Sequence, residues 1–156
     1  MYQSSESALL LRGNRVDESV FGAPIALQGA AWVAGADPFG GDALDPTVGV
    51  ATIPGNVRSA VNNTEWTLEL WCKPTSTTAN GNFIFDLGVS PFPGYGNVCV
   101  FLLSTGALGV LASLDGQSWV NVSSYSGGSV PNGSWSYLEV TRRGNTLIAA
   151  VNAVDV

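Results

Sequence analysis

Two stretches decide the fold: T-E-W-T-L-E-L-W-C-K at 64–73 and W-S-Y-L-E-V-T-R at 135–142. In the first, Trp66, Leu68, Leu70 and Cys72 alternate with Thr67, Glu69, Trp71 and Lys73. In the second, Ser136, Leu138 and Val140 alternate with Trp135, Tyr137, Glu139 and Thr141. A period of two over this length marks a strand with two chemically different faces. The tryptophans and isolated carboxylates on the second face predict a sheet that is wet on one side, as in packed antiparallel sheets rather than sheets buried under helices.

Working outward, further strands are predicted at 8–11, at 25–33 with a split at Gly29, and at 48–53. The remainder fall at 82–87, 98–103, 108–114, 118–122 and 146–151. The run A-G-A-D-P-F-G-G-D at 34–42 reads as a turn-rich loop. Asp115-Gly116 and Gly144-Asn145 are turn-forming pairs, and L-E-V-T-R-R-G-N-T-L-I-A-A-V is the clearest hairpin in the chain. No long amphipathic helix and no fixed-period repeat emerges.

At 156 residues the chain fits one domain, with a core at about 8–153. Charged residues make up only 12% against 46% hydrophobic, so a large share of surface is expected to face neighbouring subunits. A net charge of −6 with six basic residues argues against phosphate-mediated nucleic-acid binding. No apolar run has the length of a membrane helix, and M-Y-Q-S-S-E-S lacks the features of a secretory signal. The absence of histidine excludes Ser-His-acid and Cys-His catalysis, and leaves zinc without its usual partners. Cys72 and Cys99 sit in apolar strands and read as buried thiols, with a disulfide as the alternative.

The stretches W-T-L-E-L-W-C-K-P-T at 66–75, N-F-I-F-D-L-G at 82–88, V-F-L-L-S-T-G-A-L-G-V at 100–110 and W-S-Y-L-E-V-T-R-R-G-N-T-L-I-A-A-V-N at 135–152 resemble the laminin-G-like members of the concanavalin A-like lectin/glucanase superfamily. Trp66, Glu69, Trp71, Pro74, Trp135, Val140, Thr141, Arg142, Val151 and Asn152 occupy the characteristic places, while Ala153 stands where a glycine is usual. Upstream, Leu9–Leu11, Phe39-Gly40-Gly41 and Ile53-Pro54 resemble the form of this domain in tailed-bacteriophage virion proteins. The resemblance implies an all-β jelly-roll sandwich of two antiparallel sheets, and a role as a virion component: a capsid decoration, tail or fibre-associated protein. The alternative is a lectin-like carbohydrate-binding module. The motifs are specific for the fold and weak for function.

Family members usually continue past the final hairpin with a further strand, which this sequence does not carry. Either the sequence is a truncation or the open sheet edge is covered by another subunit. The second is the favoured expectation, and it puts Thr146, Ile148, Val151, Val154 and Val156 at a boundary with other virion proteins or with copies of the same chain, in a trimer by fibre-like analogy.

For chemistry, glycoside cleavage needs two carboxylates facing each other. Glu65 and Glu69 share a face without the intervening Asp of the hydrolase branch, and Glu139 has no visible partner; Glu69 and Glu139 read as cross-strand or rim residues beside Arg142 or Lys73. No enzymatic activity is expected. Exposed rings beside amides suit sugars, which nominates Tyr95, Trp119, Asn121 and Tyr125 for ligand binding. Trp66 and Trp135 read as core or inter-subunit residues. No cofactor is expected, calcium being the one the resemblance admits, at Asp86; Asp37, Asp42 and Asp45 read better as residues capping their own turns.

Overall fold

The computed structural model describes residues 25–36, 38–45, 50–52, 65–76, 82–86, 98–112, 120–121, 129–152 and 154–155. The predicted strand at 8–11 lies outside them. The chain divides into two compact units, Met1–Ala60 and Val61–Val156.

In the first unit, β1 (Ala26–Gln28) pairs antiparallel with β4 (Val50–Thr52), and β2 (Ala31–Val33) with β3 (Ala43–Asp45). The pairings are nested, so the four strands form one interrupted hairpin. The interruption falls at Gly29, whose φ of 84° is a conformation that side chains with a Cβ rarely adopt. At the tip, the Gly35 N–H donates to Asp42 Oδ1 at 3.2 Å, a bond across the loop rather than the local turn cap expected of this aspartate. Asp37 lies outside the described residues. Asp45 belongs to β3 rather than to the loop.

The second unit holds two four-stranded antiparallel sheets. Its strands are β5 (Glu65–Cys72), β6 (Asn82–Asp86), β7 (Val98–Leu102), β8 (Leu108–Ala112), β9 (Val120–Asn121), β10 (Ser136–Arg143), β11 (Thr146–Val151) and β12 (Val154–Asp155). One sheet runs β12-β11-β10-β5 and the other β6-β7-β8-β9. The two decisive stretches of sequence pair with each other, from Ser136↔Cys72 to Arg143↔Glu65.

Alternation then sorts the side chains. Leu138, Val140, Ala149 and Val151 from the first sheet meet Val98, Val100, Leu102, Leu108, Val110 and Ala112 from the second in one core. Trp66, Leu68, Leu70 and Cys72 pack against it at the β5 edge, which confirms Trp66 as a core residue. Burying a Leu or Val side chain of this kind contributes about 1.5–3 kcal/mol. A register shift between Phe83 and Phe85 in β6 brings both Ile84 and Phe85 against this core, although strict alternation would place them on opposite faces.

The hairpin between β10 and β11 closes through Gly144-Asn145, with Gly144 at a φ of 58°. Beyond Val151, Asn152 takes a φ of 52° and turns the chain so that Val154 pairs with Val151. β11 thus lies between β10 and β12, the latter pairing with Ala150 and Val151. Cys72 and Cys99 lie on different sheets and form no disulfide with each other, Cys99 buried and Cys72 half-buried.

Candidate ligand-binding face

The outward face of the β12-β11-β10-β5 sheet collects the second set of alternating residues. The register puts Thr67 opposite Thr141, Glu69 opposite Glu139 and Trp71 opposite Tyr137. On the other side of β10, Ile148 stands opposite Thr141 and Ala150 opposite Glu139. Glu139 thus has a partner after all, a second carboxylate directly across the ladder. Arg142 is not beside either one. Its even position turns it to the core side, where it is buried and its Nε donates to the Gly144 carbonyl at 2.9 Å. Lys73 lies on the same face as Glu69 but four residues away, about 13 Å along the strand.

Hydrogen bonding ties these residues together. The Tyr137 hydroxyl donates to Glu69 Oε1, and its oxygen lies 3.4 Å from Glu139 Oε2. The Thr141 hydroxyl donates to Glu139 Oε1 at 3.1 Å. That commits its proton, so in the 3.1 Å contact between Thr67 and Thr141 the donor is Thr67. The resulting chain runs Thr67 to Thr141 to Glu139, with Tyr137 bridging to Glu69. Burial, and then the nearby Glu69 and Glu139 carboxylates, push the Tyr137 phenol well above its ordinary range. The phenol therefore stays a donor at neutral pH.

Beside the carboxylates, the Trp71 and Tyr137 rings stand with centroids 5.5 Å apart at a tilt of 54°. Trp71 is 42% exposed and Ile148 38%, so this face carries a solvent-accessible apolar area next to fixed acceptors. Tyr137 is itself held in place. Its N–H donates to Asn152 Oδ1 at 3.0 Å, and its carbonyl accepts from the Asn152 N–H at 2.9 Å. Parity alone placed Glu69, Trp71, Tyr137 and Glu139 on wet faces. Their convergence follows from the register of β5 on β10.

The residues nominated from sequence are distributed otherwise. Tyr95, Trp119, Tyr125 and Val156 lie outside the described residues. Asn121 ends β9, opposite Leu111, and Asp86 ends β6, opposite Cys99. Among the described residues no three acidic or cysteine side chains gather as a metal site would require. Thr146 and Ile148 are exposed on β11, and Val154 pairs with Val151 in the ladder. Val151 is only 2% exposed, a core residue rather than a contact for a partner. Trp135 is half-buried just before β10. A separate open depression of about 160 Å³ lies where the β7–β8 turn meets residues 129–132, lined by Ser104, Thr105, Ser129 and Asn132 among others. It offers hydroxyls and an amide but no ring and no charge.

Among the described residues no helix is long and apolar enough to cross a membrane. Neither the curated proteins nor the solved structures contain a match to the chain. Residues 45–156, well over half the chain, match the laminin-G-type family model described as the concanavalin A-like lectin/glucanases superfamily, and the chain belongs to that family.

Proposed function

We propose that this protein is a non-enzymatic, lectin-like binding module whose ligand is a carbohydrate. The observation that carries the reading is the juxtaposition on one partly exposed sheet face of the tilted Trp71–Tyr137 pair with hydrogen-bonded carboxylates at Glu69 and Glu139. A sugar ring has an apolar face that stacks on an aromatic and a polar edge that bonds to fixed acceptors. Both Glu139 oxygens already face Tyr137 or Thr141, and Tyr137 also bonds Glu69. That arrangement orients acceptors, which suits binding more than the opposed acid and base of a glycosidase. Tyr95, Trp119, Asn121 and Tyr125 extend the proposal as further binding residues. A glycan array tests it: retention of at least one glycan class, lost on Trp71→Ala with folding unchanged, is the expected result. An empty array would overturn the reading.

The module's setting is proposed to be a bacteriophage particle, where it assembles with virion proteins or with copies of itself. Support comes from the Leu9–Leu11 and Phe39-Gly40-Gly41 pattern, the latter forming a turn with Gly40 at a φ of 87°. Mass spectrometry of purified virions is the test. Many copies per particle are expected, and absence from particles ends the idea.

A further inference from the structure

We infer that the sugar this face takes is cationic, an oligosaccharide carrying free protonated amines rather than a neutral or acidic glycan. The inference rests on the carbohydrate-binding reading and deepens it. Its ground is an unbalanced count of charges and protons around Glu69 and Glu139.

The two carboxylates occupy directly opposed positions, an arrangement in which like charges repel. Three of their oxygens converge on two hydroxyl donors. Glu69 Oε1 and Glu139 Oε2 both approach the Tyr137 oxygen, which has a single proton to give, while Glu139 Oε1 accepts from Thr141. Among the described residues no basic side chain bonds to either carboxylate. Among the described residues the nearest cations on this face by position are Lys73 and Arg143, each four residues along its strand and about 13 Å away. That exceeds the screening length of about 8–10 Å at ordinary salt. Arg143 also stands opposite Glu65 in the register. β11 places only Thr146, Ile148 and Ala150 on this side, all uncharged.

The pair is therefore a fixed double negative charge short of donors. The adjoining Trp71 ring is accessible to the apolar face of a sugar and attracts a cation over its own face. A ring-bearing ammonium with hydroxyl neighbours meets all three requirements: stacking surface, positive charge and extra protons. A neutral acetamide supplies only the first, with weaker donors. A sulfated or uronic glycan would add a third negative charge.

The test is calorimetric titration with glucosamine oligomers and with their N-acetylated counterparts of equal length, at a pH near 6, where the sugar amine is protonated. The free-amine oligomers should bind at least roughly tenfold more tightly, the scale of a hydrogen bond to a charged group. That preference should collapse in high salt and in a Glu69→Gln, Glu139→Gln double variant. The amides keep the acceptor for Tyr137 and relieve the repulsion, so this variant is expected to fold. Trp71→Ala should weaken both oligomers. Equal binding of the two oligomers would overturn the cationic inference while leaving carbohydrate recognition standing. Binding of neither would overturn both. Polylysine binding as tightly as the amino sugar, and insensitive to Trp71→Ala, would show a bare electrostatic surface and defeat the sugar assignment.

Discussion

Substituting Gly109 by alanine places a Cβ directly beneath an aromatic ring, and the structure allows the cost to be worked out. Gly109 faces Phe101 across the β7–β8 ladder, on the side of that sheet away from the core. A Cβ built there would lie 2.5 Å from the Phe101 Cζ and 3.0 Å from its Cδ2, well inside van der Waals contact. The ring must swing off the strand, and Phe101 is half-buried, so the displacement is opposed by its own packing. Overpacking of this kind costs about 1–3 kcal/mol. Against it, Gly109 is not at a positive φ, so alanine gains about 0.4–1 kcal/mol by restricting the unfolded chain. The net is a destabilisation of about 1 kcal/mol. For a cooperative unit of this size that lowers the melting temperature by about 4–8 °C, measured by calorimetry. Phe101→Leu in the same chain should recover most of the loss, and a double-mutant cycle would report the coupling. A melting temperature unchanged or raised in Gly109→Ala alone would refute the claim that the ring rests on the glycine.

Three further outcomes are expected. Asn152→Gly keeps the left-handed turn but loses the bond to the Tyr137 N–H, costing about 1 kcal/mol in urea unfolding, whereas Asn152→Ala adds backbone strain and costs about 2; equal losses would show that the φ of 52° is unimportant. Because the Tyr137 phenol is held protonated above its unfolded value of about 10, the stability it contributes is complete below that pH and falls as pH rises past it. Melting curves against pH should thus decline more shallowly above about pH 10 in Tyr137→Phe, and identical curves would contradict the assignment. Burial pushes the Cys72 thiol up to about 11, so it should resist alkylation near pH 8 until urea unfolds the chain; rapid labelling of the native protein would contradict its packing against the core.

Alternation in 64–73 and 135–142 was enough to sort residues 66–73 and 135–141 into two faces, because strand parity is local, although Arg142, read beside the carboxylates, lies instead on the core side. It was also enough to read the Gly144-Asn145 hairpin and the break at Gly29, where two or three residues set the backbone. The bulge that turns both Ile84 and Phe85 against the core defeats parity, since it depends on what β7 presents. The course of the chain past 146–151 was not legible for a related reason. Whether 146–151 ends the sheet is decided by the turn at Asn152 and the return of Val154, not by the strand's own pattern. Val151 shows the consequence: an apolar residue near the end of the chain reads as a contact for a partner until the second sheet is seen to cover it.

The candidate site is the sharpest case. Glu69 and Glu139 are 70 positions apart, and nothing within either strand says which residue lies opposite. A slip of two residues would preserve every face and every buried side chain type, yet would set Glu69 against Tyr137 or Thr141. The sequence by itself determined the two-faced strands and the chemistry available on each face. Only the tertiary structure decided that two carboxylates, a tyrosine and a tryptophan meet. Register between distant strands is settled by the whole set of core contacts and turns at once, and no local stretch of chain contains that information.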